Sequence, residues 1–171
     1  MSVLPSLAPL MCAGVTVYTA LKSGNLRPGD WVAVSGAGGG LGHLGVQYAK
    51  AMGYRVVALD VANKAALCRE AGAEHFIDVT TFSDDEELCR SVISLTDGGA
   101  RLALACSSSN RAYAQAISYL DVAGTLLCLG VPEGDPQPIQ TASVARIVSR
   151  QLRIVGMSTR HRTLAYLKLI S

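Results

Sequence analysis

The run Val32-Ala33-Val34-Ser35-Gly36-Ala37-Gly38-Gly39-Gly40-Leu41-Gly42 constrains this chain more than any other segment. A short apolar strand passes into a turn with five glycines in seven residues, and the turn opens a helix reading from Leu41 to Met52. Glycine lacks the Cβ that would hold a ligand away from the backbone, and a helix N-terminus presents unpaired N–H groups and partial positive charge. Strand, glycine turn and helix in that order make a cradle for a phosphate. The strict G-x-G-x-x-G spacing falls at 40/42/45, later than a turn leaving the strand at Ser35 should begin. A longer version, with glycines at 36, 39 and 42, starts in the right place. Gly-rich turns also arise for steric reasons alone, so the turn by itself does not decide the matter.

The continuation raises its value. After the helix and Gly53 comes Tyr54-Arg55-Val56-Val57-Ala58-Leu59-Asp60, a second apolar run ending in an acid 18 residues past Gly42. That is close to the roughly 20 residues that separate a dinucleotide turn from the carboxylate on the adenosine ribose. Two carboxylate oxygens accept both ribose hydroxyls, and the charge repels a 2′-phosphate, so the pattern reads as NAD rather than NADP. Asp60 equally suits a cap on a helix starting near Ala62.

Half of the 171 residues are hydrophobic and 16% are charged, which excludes a disordered chain. A net charge of +2 with scattered basic residues gives no footprint for nucleic acid. No apolar run reaches the roughly 18 residues of a membrane span, and the first residues lack the pattern of a signal peptide, so the cytoplasm is the expected compartment. The five cysteines (Cys12, Cys68, Cys89, Cys106 and Cys128) include no C-x-x-C pair and predict neither a disulfide framework nor a self-contained zinc site.

Strand-like and helix-like segments alternate. Strands read at about 31–36, 55–60, 75–78, 100–106, 124–130 and 152–157. Helices read near 42–52, 62–72, 84–96, 110–121, 141–150 and 161–170. Continuous apolar runs such as 102–106 and 125–129 suit strands covered on both faces. The expectation is one α/β domain, a doubly wound parallel sheet of six strands in the order 3-2-1-4-5-6 (a Rossmann fold). This order places the glycine turn opposite Ser107-Ser108-Ser109, at the carboxyl ends of strands one and four. The acids at 84–87 read as a favourable first helical turn. His43 reads as a packing or capping residue beside the turn, and His75 and His161 as surface or strand-end residues.

Three further segments carry a resemblance. They are Ala8-Pro9-Leu10-Met11-Cys12-Ala13-Gly14-Val15-Thr16-Val17-Tyr18, Leu26-Arg27-Pro28-Gly29-Asp30-Trp31-Val32, and Gly42-His43-Leu44-Gly45-Val46-Gln47-Tyr48-Ala49-Lys50-Ala51-Met52-Gly53. Together they resemble the medium-chain zinc alcohol dehydrogenases of fungal and bacterial type, over roughly residues 1–156. The longer glycine turn also occurs in that family. Only the coenzyme-binding domain is represented, and the resemblance implies a truncated or excised cofactor domain over 1–171 without its catalytic domain.

By that resemblance, Gly36, Ala37, Gly38, Gly39, Gly40, Leu41 and Gly42 hold the pyrophosphate. Asp60 and Lys64 hold the adenosine ribose, Phe76 lines the adenine pocket, and Ser107 follows the fourth strand at a cofactor position. Leu129 and Val131 offer backbone groups to the nicotinamide amide, and Thr16 packs near the nicotinamide. Cys12 stands at the place of a catalytic zinc ligand whose partners belong to the missing domain. Lys64 also reads as a helix-surface lysine, Phe76 as a core residue and Thr16 as an ordinary helix residue. Arg160 and Arg162 compete for the place of a cofactor-contacting arginine.

The resemblance implies a parent that oxidises alcohols to aldehydes or ketones by hydride transfer to NAD with zinc. The isolated chain is then expected to bind NAD weakly or not at all under dilute conditions, and to have no turnover. It also implies a homodimer through the last sheet edge, Leu152–Gly156. Two alternatives stand beside this: a free-standing NAD(H)-binding or interaction module, and a zinc-free quinone reductase, which Cys12 and Asp60 disfavour.

Overall fold

The computed structural model describes residues 10–157. Its six strands are β1 (Trp31–Ser35), β2 (Arg55–Asp60), β3 (His75–Asp78), β4 (Ala100–Ala105), β5 (Leu120–Cys128) and β6 (Arg153–Gly156). They form one sheet in the order β3-β2-β1-β4-β5-β6, parallel throughout, as the sequence predicts. The helices are α1 (Val15–Ser23), α2 (Gly40–Ala51), α3 (Ala65–Glu70), α4 (Asp85–Leu95), α5 (Asn110–Tyr119) and α6 (Val144–Arg150). A π-helical turn, Leu10–Gly14, leads into α1.

Strand alternation sends successive side chains to opposite faces. In β1, Trp31 and Ala33 join a core with Leu88 and Val92 of α4 and Tyr113 and Ile117 of α5. Val32 and Val34 join a second core with Val17 and Leu21 of α1, Val46 and Ala49 of α2 and Cys68 of α3. Both faces are therefore covered, which is why the strands read as unbroken apolar runs. Each fully buried leucine, such as Leu102 or Leu104, contributes about 1.5–3 kcal/mol.

The acidic start of α4 is a capping arrangement. Asp84 accepts from the Glu87 N–H at 2.7 Å. The Glu87 carboxylate accepts from the Ser83 N–H at 3.1 Å and from its hydroxyl at 2.9 Å.

Several boundaries differ from the sequence expectation. β5 starts at Leu120, not near 124, and α5 stops at Tyr119, because Tyr119 and Leu120 are both fully buried and the chain passes from helix to strand without a loop. The helix expected over 62–72 is a 3-10 turn, Ala62–Lys64, followed by the shorter α3. Gly72, at φ +107°, follows the end of α3. α6 begins at Val144, three residues late, because Ser143 is its cap and accepts from the Arg146 N–H at 3.2 Å. Cys106 lies just beyond β4. The helix expected over 161–170, and the expectations for His161, Arg160 and Arg162, lie outside the described residues.

Candidate functional site

The doubly wound order reverses between β1 and β4, and the crevice at their carboxyl ends is where this architecture binds ligands. Ser35 ends β1, and Gly36 turns the chain at φ +67°. An ideal Cβ on Gly36 would come 3.1 Å from the Ser107 nitrogen, so the turn and the segment after β4 touch backbone to backbone. Around the Gly36 carbonyl oxygen the other two glycines of the longer spacing converge. A Cβ on Gly39 would sit 3.2 Å from that oxygen, and one on Gly42 only 2.0 Å from it. Gly45, from the strict spacing, instead lets α2 approach Leu104 of the sheet. Gly40 faces open space at the start of α2. The 36/39/42 set shapes the turn, and Gly40 leaves room beside the helix N-terminus.

Asp60 ends β2 on the opposite wall. One carboxylate oxygen accepts from the Gly38 N–H at 2.7 Å and the other from the Val61 N–H at 2.8 Å. Each oxygen keeps a lone pair for a further donor. Between Asp60 and the glycine turn opens a cleft of about 270 Å³, lined by residues including Ser35, Gly36, Asp60, Val61, Ser107 and Arg111. Among the described residues the Ser35 hydroxyl is a buried side-chain oxygen with no hydrogen-bond partner, and it belongs to this cleft. A buried polar group left unpaired costs about 1–3 kcal/mol, so a polar ligand in the cleft has a donor and acceptor waiting for it. An open glycine cradle, a carboxylate with spare acceptors and an orphaned hydroxyl fit a dinucleotide.

The other expected residues take distinct places. The Lys64 stem lies over the turn, where a Cβ on Gly38 would meet its Cβ, Cγ and Cδ within 2.8 Å. Phe76 packs into the core on the α1–α3 face and does not line the cleft. Leu129 and Val131 line a second cavity of about 450 Å³ beyond β5, with Asn110, Tyr113 and Gly130. The two cavities adjoin at Ser107, because a Cβ on Gly130 would lie 2.2 Å from the Ser107 carbonyl oxygen.

The Thr16 hydroxyl, in the first turn of α1, donates to the Cys12 carbonyl of the preceding π-helical turn at 2.9 Å. Cys12 is exposed in the π-helical turn. A catalytic zinc takes about three protein ligands. No group of three His, Cys, Asp or Glu that could hold a metal gathers among the described residues, so these residues do not fit a zinc site by themselves.

The histidines have other work. His43 Nδ1 lies 3.1 Å from the Gly39 carbonyl oxygen at the start of α2, a contact that leaves the helix's first N–H groups uncapped. His75 stacks on Trp31 at the amino ends of the strands, with ring centroids 5.5 Å apart, away from the crevice. Arg55 covers the same Trp31 ring and bonds Glu74 at 2.6 Å; that bond holds the Glu74 carboxyl below its ordinary pKa. Burial pushes the Cys106 thiol up to about 12 and the Cys89 thiol to about 11, so neither is a nucleophile. Ser35 and Tyr113 were not among the expected site residues. Ser35 had a signal, a hydroxyl at the last position of an otherwise apolar strand, whereas Tyr113 reads only as an aromatic residue within a helix.

The family model for zinc-binding dehydrogenases matches residues 40–171. The chain belongs to the zinc-binding dehydrogenase family. It is 44% identical over 161 residues to alcohol dehydrogenase 2 of Emericella nidulans, covering 91% of this chain and 44% of that protein. It is 45% identical over 128 residues to an alcohol dehydrogenase of Schizosaccharomyces pombe, covering 74% of this chain and 36% of that one. The crystal structure of an alcohol dehydrogenase from Aeropyrum pernix superposes with a TM-score of 0.79 at 30% identity, covering 96% of this chain and 46% of that chain. The zinc-binding dehydrogenase chain described here thus spans less than half the length of these relatives. No helix among its described residues is long and apolar enough to cross a membrane.

Proposed function

We propose that this chain is the NAD-binding part of a cytoplasmic alcohol dehydrogenase acting on small alcohols and their carbonyl products. The closure of the Gly36–Gly42 turn on Asp60, beside the unpaired Ser35 hydroxyl, carries the reading. The N–H groups at the N-terminus of α2, from Gly40 on, take the pyrophosphate, while those of Gly36 to Gly39 hold the turn itself through Leu59, Asp60 and Gly36. Asp60 accepts the adenosine ribose hydroxyls, with the Lys64 ammonium reaching from above the turn. Ser107 sits where the two cavities adjoin, and the Leu129 and Val131 backbone offers an acceptor and a donor to the nicotinamide carboxamide. Phe76 supports the β3 side of the adenine end from within the core. When bound, NAD supplies the hydride acceptor for the alcohol carbon. Thr16 packs toward the nicotinamide, and Cys12 would be one ligand of a zinc completed by residues outside those described.

Titration with NADH and NADPH tests this reading. The expected result is NADH binding at least about tenfold tighter, since the Asp60 carboxylate faces a 2′-phosphate as a like charge. Asp60→Ala should narrow that preference chiefly by weakening NADH. Equal affinity of the unaltered chain for both cofactors, or binding of neither up to millimolar concentration, overturns it.

A further inference from the structure

The second cavity holds a hydrogen bond that the cofactor site as described does not use. Tyr113, on the first turns of α5, is 4% exposed, and its hydroxyl donates to the Gly130 carbonyl. Burial pushes this phenol up to about 12, so it stays protonated, and a donor, throughout the neutral range.

Gly130 is held on two other sides as well. Its N–H and that of Leu129 both donate to the Ala105 carbonyl, at 3.0 and 3.1 Å. Its Cα lies against the Ser107 carbonyl so closely that no side chain fits there. With N–H and Cα fixed, the remaining freedom is rotation of the Gly130–Val131 peptide about the glycine's ψ angle. A glycine has little steric preference of its own to set that rotation.

A trans peptide is planar, with its C=O and N–H pointing in opposite directions. Whatever holds the Gly130 carbonyl therefore aims the Val131 N–H. Gly130, Val131 and Tyr113 all line the same cavity.

We propose that Tyr113 is a positioning residue, whose hydroxyl locks the Gly130–Val131 peptide and so aims the Val131 N–H at the carboxamide of the nicotinamide. This rests on the proposed reading that the second cavity takes the nicotinamide end of the cofactor. Tyr113 itself touches no reacting atom. The adenosine-side cleft, with Asp60 and the glycine turn, does not depend on it.

Comparing two ligands on the full 171-residue chain separates this role from a merely structural one. ADP-ribose carries the adenosine, the pyrophosphate and the second ribose but no nicotinamide; NADH carries all four. The expected result for Tyr113→Phe is a loss of about five- to tenfold in NADH affinity, the worth of one hydrogen bond, with ADP-ribose affinity unchanged. Unchanged ADP-ribose binding also shows that the variant is folded. An equal loss for both ligands, or a loss for neither, overturns the positioning role. If the unaltered chain binds ADP-ribose but gains nothing from the nicotinamide, the proposal fails while the adenosine site stands. If it binds neither ligand, the cofactor reading fails and the proposal falls with it.

Discussion

At the scale of single residues, neighbouring glycines of one turn do opposite jobs, and substitution separates them. A methyl group on Gly42 would fall 2.0 Å from the Gly36 carbonyl oxygen and 2.7 Å from the Ala37 Cα, both backbone atoms that cannot swing aside. Gly42→Ala is expected to cost about 3 kcal/mol or more in urea unfolding, because the turn must open to admit it. A methyl group on Gly40 meets nothing within 4 Å, and the residue starts a helix. Gly40→Ala should therefore stabilise the chain by about 0.5–1 kcal/mol. It should also weaken NADH, because the added methyl stands in the open cradle. A variant that gained stability without losing affinity would place the phosphates elsewhere. The sequence favoured the 36/39/42 spacing because it begins where the strand ends, but only the folded turn reveals that Gly39 and Gly42 crowd the Gly36 oxygen.

At the scale of elements, α4 and α5 are joined through one carboxylate. Asp85 accepts from Arg111 Nε at 2.6 Å and from the Gln115 amide at 2.7 Å, and Gln115 is buried. Asp85→Ala should cost about 1–3 kcal/mol, mostly from the Gln115 amide left unpaired. Burial works against the Asp85 charge, but the bonds from Gln115 and Arg111 outweigh it and hold the carboxyl below its ordinary value. A depressed folded pKa gives stability that is present above the unfolded value of about 3.9 and is lost as pH falls through the folded one. The difference between Asp85→Ala and the unaltered chain should accordingly shrink between pH 5 and the acid limb in urea titrations (a flat difference down to about pH 2 would refute the linkage). Elements bounded by glycines and caps were legible because the local chain decides them, as at Ser83-Asp84 and Gly36. The start of β5 was not, because Asp121-Val122-Ala123-Gly124 has the composition of a turn. There Ala123 takes φ 56° and the register with β4 shifts between Ala100 and Leu102, so burial of Leu120 sets the strand's beginning. The same distinction holds within the site: the cradle and Asp60 follow chain order, whereas the Tyr113–Gly130 bond joins residues 17 positions apart through the packing of α5 on the sheet.

At the scale of the whole molecule, one edge of the sheet stands out. β6 is the last strand of the described sheet and, among the described strands, pairs with β5 alone. Ile154 on that strand is 37% exposed, and on the preceding α6 Val144 and Val148 are 77% and 70% exposed. An open sheet edge invites pairing with another chain, and natural sheets normally blunt it with charge, proline or a cover; β6 carries one charge, the exposed Arg153. A two-fold axis beside β6 would satisfy both edges at once, each copy donating to and accepting from the other in an isologous contact. The chain is therefore expected to sediment as a homodimer, joined β6 to β6 into one continuous sheet. Ile154→Lys would bring two ammonium groups to the same apolar contact and should weaken the dimer by at least about tenfold in Kd. The glycine cradle and Asp60 lie on the other side of the sheet order, so the same variant should keep its ADP-ribose affinity. A monodisperse monomer at high concentration in light scattering would sink the proposal. A dimer indifferent to Ile154→Lys would move the contact off β6.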